Sequence, residues 1–199
     1  LSLAVLMSLA CAPSADAQGF ARTDVTNSGT HLIMNGTTPI MDEDETDFEA
    51  VDIDLDGDLD VIIGRKTPFT TGQTALPNCL LMNDGAGHLT DVTATFTTFN
   101  SDLDISREVK ARDMNNDGWP DIVTFNTVGQ GTFIWYNLGN DLTGAWQGLS
   151  APSVVQFGTD FNICGGEVFD YDADGFMDLF RSDYQSSHES DLLRQAPNN

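Results

Sequence analysis

Asp52-Ile53-Asp54-Leu55-Asp56-Gly57-Asp58-Leu59-Asp60 is the stretch on which the fold turns, because the same pattern occurs twice more. Asp113-Met114-Asn115-Asn116-Asp117-Gly118-Trp119-Pro120-Asp121 and Asp170-Tyr171-Asp172-Ala173-Asp174-Gly175-Phe176-Met177-Asp178 align with it without a gap. Each copy reads Asp-x-Asp/Asn-x-Asp-Gly-x-x-Asp, and the starts are spaced 61 and then 57 residues apart. A near-constant period of this size is the mark of a solenoid, a propeller or a tandem array.

The flanks give the local structure. Each loop runs into an apolar, β-rich stretch: Val61–Ile63, Ile122–Phe125 and Leu179–Phe180. Another short run precedes each loop: Phe48–Val51, Val109–Ala111 and Glu167–Phe169. The loop therefore joins two strands rather than two helices. Further strands are expected at Leu80–Met82, Leu89–Thr93, Thr132–Tyr136 and Val154–Phe157, separated by turn-forming segments such as Asn83-Asp84-Gly85-Ala86-Gly87. No long stretch has a helical apolar period. The expected architecture is all-β, with about four short strands in each repeat of about sixty residues.

Acids at alternate positions of a tight loop can turn their oxygens toward one centre. The Gly after the third acid permits the sharp turn, and the Asp at position nine closes the shell. Crowded carboxylates repel without a cation, and a hard, oxygen-seeking ion converts that repulsion into attraction. Oxygen-only ligands select Ca²⁺ over zinc or copper, and magnesium is disfavoured by its strict octahedral demand. An EF-hand is excluded by count: position twelve is Ile63, Thr124 or Arg181, never Glu. Asn115 lowers the charge of the second loop, so weaker binding is expected there.

Composition supports export and argues against nucleic acid. Eight Lys and Arg stand against 31 Asp and Glu, a formal charge of −23, with 40% hydrophobic and 20% charged residues. Such a chain is repelled by nucleic acid and by anionic lipid. Residues 1–17 form an apolar run followed by Ala15-Asp16-Ala17, the pattern of an N-terminally truncated signal peptide cleaved before Gln18. The alternative is a lipoprotein site with a lipid anchor on Cys11. No segment is long enough to span a membrane. Cys79 and Cys164 then remain, and an oxidising compartment permits a disulfide. Their different places in the repeat favour two buried free thiols.

Catalytic signatures are missing from the sequence. His31, His88 and His188 fit no catalytic spacing, and there is no nucleophile elbow or phosphate loop. Glu49 and Glu167 lie three residues before a loop, where the second repeat has Lys110. A structural role is expected for both. Trp135, Tyr136 and Trp146 are read as propeller core, the alternative being an aromatic contact surface.

The three loops, together with Asn78-Cys79-Leu80-Leu81-Met82-Asn83-Asp84-Gly85-Ala86-Gly87-His88-Leu89-Thr90-Asp91-Val92-Thr93, resemble the FG-GAP/VCBS repeat family of integrin-α-like β-propellers, as in secreted bacterial proteins. Phe20–Thr26 resembles the same strand of a preceding repeat. The resemblance implies blades of four antiparallel strands around an axis, with Ca²⁺ in the loop between the first two strands. Position by position it implies side-chain ligands Asp52, Asp54, Asp56 and Asp60; Asp113, Asn115, Asp117 and Asp121; and Asp170, Asp172, Asp174 and Asp178. The residue at position seven (Asp58, Trp119, Phe176) would offer its backbone carbonyl. Repeats are placed around 47–107, 108–164 and 165–199 within a propeller fragment spanning 18–199. Three repeats are fewer than a closed ring needs, so an incomplete propeller is expected. The second repeat departs from the pattern, with no Asn-Asp-Gly-x-Gly turn after Trp135-Tyr136-Asn137. The expected function is an exported, secreted or cell-surface calcium-binding scaffold, not an enzyme, that contacts an extracellular protein or glycan in adhesion. The alternative is an accessory or catalytic propeller of a secreted polysaccharide-degrading enzyme.

Overall fold

The computed structural model describes residues 32–35, 38–41, 45–68, 72–155, 162–184 and 190–195. The signal segment, Cys11, the Phe20–Thr26 motif, His31 and His188 lie outside these residues. Strands β1 (Leu32–Asn35) and β2 (Thr38–Met41) pair as an antiparallel hairpin.

Three antiparallel sheets follow. The first consists of β3 (Glu45–Val51), β4 (Asp60–Arg65), β5 (Cys79–Asn83) and β6 (Leu89–Asp91), paired in that order. The second consists of β7 (Ser106–Arg112), β8 (Asp121–Asn126), β9 (Thr132–Trp135) and β10 (Ser153–Val155). The third joins β11 (Ile163–Phe169), β12 (Asp178–Asp183) and β13 (Asp191–Leu193). In every sheet an acidic loop connects the first two strands, as the apolar flanks require. The strand expected over Leu89–Thr93 stops at Asp91. There the Asp91 carboxylate accepts the Thr93 backbone N–H and turns the chain into a single helical turn, α1 (Thr93–Phe96).

The sheets stack face to face. Ile53, Ile62, Leu80, Val109, Ala111, Ile122 and Trp135 form one core. Met114, Val123, Phe125, Ile134, Val168 and Leu179 form another. Strand β8 sends Ile122 into the first core and Val123 and Phe125 into the second, so every one of its residues is buried. Strand β4 alternates instead from Asp60 to Gly64. Phe48 on the outer face of the first sheet, and Phe180 and Leu192 on that of the third, are exposed. These are the surfaces that a neighbouring blade covers between the sheets. The fold is therefore all-β, an incomplete β-propeller.

The aromatic residues of the second repeat serve this packing. Trp135 is fully buried, edge-on to Phe99 and Phe133, while Trp146 packs on Phe96 and Tyr136 borders the second core. Packing is close enough to select Gly166, where a β-carbon would lie 2.3 Å from the Phe125 ring.

Polar ties between blades recur with the period. Asp47 Oδ2 accepts the Val109 N–H at 3.0 Å, and Glu108 Oε2, one repeat later, accepts the Gly166 N–H at 2.7 Å. The third repeat places Gly165 at the corresponding position. Arg112 joins all three blades, donating to Glu49 at 3.1 Å and lying 3.7 Å from Glu167. The structural role expected of those two glutamates thus falls on one cation of the middle blade, while Lys110 pairs with Glu108 at 2.6 Å. Cys79 and Cys164 are not joined in a disulfide. Cys79 is buried as expected, but Cys164 is only half-buried, beside Ser182. Among the described residues no helix is long and apolar enough to cross a membrane.

Candidate metal centres

Each acidic loop is folded by its own carboxylates. Asp52, Asp113 and Asp170 at position one accept the N–H of the glycine at position six, at 3.1, 2.8 and 2.9 Å. Asp56, Asp117 and Asp174 at position five accept the N–H of position seven, at 3.1, 2.9 and 3.0 Å. The glycines take φ of +104, +91 and +89°, a conformation closed to residues with a β-carbon. Position four is left-handed as well, with φ of 57° at Leu55, 60° at Asn116 and 59° at Ala173. Of these, only Asn tolerates that region readily, and nothing in the sequence marks the strain at Leu55 or Ala173.

Position two anchors the loop in the core. Ile53 and Met114 enter the first and second inter-blade cores, whereas Tyr171 is 60% exposed.

In the first loop, one carboxylate oxygen from each of Asp52, Asp54 and Asp56 lies within 4.8 Å of the others, and Asp170, Asp172 and Asp174 do the same in the third. Burial, then repulsion from Asp56, Asp52 and Asp58, raises the affinity of Asp54 for a proton. Asp58 is raised too, by desolvation and by Asp56, Asp52 and Asp84, the last from the turn after β5. Asp84 itself is held down at about 2 by His88, whose ring nitrogen lies 2.8 Å away. Asp52 Oδ1 and Asp58 Oδ1 are buried and accept no hydrogen bond. Gathered oxygens, orphaned acceptors and mutual repulsion fit a hard cation.

The second loop differs. Asn115 Nδ2 donates to Asp117 Oδ2 at 2.9 Å, so an amide hydrogen stands where the other loops present only carboxylate oxygen. In the third, Arg194 pairs with Asp172 and reaches Asp174 at 3.4 Å.

Position nine is set apart from these clusters. Asp60, Asp121 and Asp178 are 1%, 0% and 0% exposed. In each, one oxygen accepts the N–H of loop position two (Ile53, Met114, Tyr171). The other accepts the N–H of Asn83, Asn137 or Gln195, at the end of the third strand or just past it. Burial pushes Asp60 and Asp121 up to about 6 against the pull of those bonds.

Asn137 shows what the missing turn of the second repeat conceals. Asn83 Nδ2 donates to the carbonyl of position eight, Leu59, at 3.1 Å. Asn137 Nδ2 makes the matching bond to Pro120 at 3.1 Å and a second to Ile53 of the preceding blade at 2.8 Å. The Gly139 N–H and the Trp146 indole occupy its Oδ1. The longer loop thus replaces the turn without loss of the asparagine's task.

Stacked antiparallel blades, each with an acidic loop at the same place, define a β-propeller-type interaction module. The chain belongs to the FG-GAP-like repeat family: the family pattern matches residues 52–124 and again 113–180. No curated relative matches the chain.

Proposed function

We propose that this protein is an exported interaction module whose blades are rigidified by calcium in the acidic loops, and that it contacts an extracellular protein or glycan without catalysing a reaction. The observation that carries the reading is the first loop, where Asp52, Asp54 and Asp56 converge and Asp52 keeps a buried oxygen free of hydrogen bonds. Asp52, Asp54 and Asp56 would hold the ion. Bound there, it would neutralise the carboxylates and lock the turn between the first two strands of the blade. Oxygen donors without nitrogen or sulfur favour calcium, and affinities of about 10⁻⁴–10⁻³ M suit extracellular modules. The apolar leader at residues 1–17 supports export, where calcium is plentiful. Exposed Leu55 and Leu59 in the first loop, and Leu138 and Leu142 in the long loop of the second blade, offer apolar contacts for a partner.

Calorimetric titration of the full chain with calcium, paired with melting curves in calcium and in chelator, tests this. At least one equivalent bound, with a higher melting temperature, is expected. A folded chain that binds nothing up to tens of millimolar would overturn the metal assignment.

A further inference from the structure

The three repeats can be superposed by sheet register, and one position then separates the third from the others. Val61 pairs with Leu81, Ile122 with Trp135 and Leu179 with Leu193 across the second and third strands. The next residue is Met82 in the first repeat, Tyr136 in the second and Arg194 in the third. Met82 and Tyr136 pack against the inter-blade cores. Arg194 instead turns its guanidinium onto the third loop, where Nε meets Asp172 Oδ2 and Nη2 lies 3.4 Å from Asp174 Oδ2.

Its backbone is held in place for this contact. The adjoining Gln195 donates its N–H to Asp178 Oδ1 at 2.8 Å, and its side-chain amide donates to the Met114 carbonyl at 3.0 Å. Two of the three carboxylates that converge in the loop therefore already face a fixed positive charge. The first loop has Met82 at the matching position, and its side chain packs into the inter-blade core instead.

We propose that Arg194 is a built-in counter-ion of the third loop, competing with a divalent cation for Asp172 and Asp174. The third loop then fills at higher cation concentration than the first, and its filling displaces Arg194 from the loop. The cation is calcium if the reading above holds, and the inference rests on that reading. A planar guanidinium matches two carboxylates well, and its exposed position keeps the pair weak enough for an ion to displace it.

The test isolates the third loop in the full chain by Asp54→Asn with Asp56→Asn and Asp113→Asn with Asp117→Asn, then titrates calcium calorimetrically with Arg194 present or replaced. Arg194→Gln is expected to tighten binding about two- to fivefold, as removal of an exposed ion pair allows, Arg194→Lys less, and Asp172→Asn to weaken it. Melting curves in chelator verify folding, and the exposed position of Arg194 makes the variants tolerable to the fold. Equal affinity with Arg194 and with Gln, or no binding in Arg194→Gln, overturns the proposal. The unaltered chain separates the two failures: calcium bound at the first loop with no effect of Arg194 sinks only this inference, while no binding at any loop sinks the calcium reading too.

Discussion

Asp60 and Asn83 are 23 residues apart, and the carboxylate of the first accepts the backbone N–H of the second at 2.9 Å. Its other oxygen takes the N–H of Ile53 at 3.1 Å. One buried side chain thereby ties the acidic loop to the end of the third strand, and Asp121 and Asp178 repeat the arrangement.

Position nine should therefore matter to stability in a way position one does not. Asp121→Ala strands the buried N–H groups of Met114 and Asn137, each worth about 1–3 kcal/mol when unpaired. In chelator, denaturant unfolding should show a loss of about 2–5 kcal/mol for Asp121→Ala. Asp113→Ala, whose hydrogen bonds are exposed, should lose under about 1.5 kcal/mol. Equal losses would refute the division of labour.

Leu55 holds a left-handed backbone at φ 57° and is half exposed. Leu55→Gly relieves the strain of a side chain in that region, about 1 kcal/mol, partly offset by greater freedom in the unfolded chain. Leu55→Asn keeps most of the gain without that offset. Thermal melting should place Leu55→Asn above the parent, and a lower melting temperature would show that the strain is compensated locally.

Gly166 sits under the Phe125 ring, so Gly166→Ala forces the two blades apart. Overpacking of this kind costs about 1–3 kcal/mol, and Phe125→Leu in the same chain should recover part of it. A double variant no more stable than Gly166→Ala would place the strain elsewhere.

Asp104 is fully buried, and desolvation lifts it to about 7 despite bonds from Thr124 and Asn78. The folded state therefore favours the neutral acid, and the unfolded chain ionises near 3.8. The stability contributed by this group is present below about pH 4 and lost as pH rises to about 7. The loss is roughly 1.4 kcal/mol for each unit between the two values. Asp60 and Asp121, raised to about 6, add to the same trend. Asp104→Asn removes one share, so unfolding curves in chelator at pH 5 and pH 8 should differ less for the variant. An unchanged difference would show that Asp104 does not titrate in the folded protein over this range.

The sequence by itself determined the three acidic loops, the strand on either side of each and an all-β repeat of about four short strands. These follow from nearest-neighbour chemistry: alternating carboxylates, a glycine where the turn tightens, and short apolar runs repeated at one period. What tertiary structure decided is the work each acid does. Asp60 and Asp52 look alike in the repeat, yet one is buried on two backbone donors and the other keeps an oxygen free of them. The three-blade bridge of Arg112, the double bond of Asn137 to Pro120 and Ile53, and Arg194 over the third loop were equally hidden. Most of these contacts join residues from separate strands or blades, and a short-range pattern holds no record of which distant donor a side chain will meet.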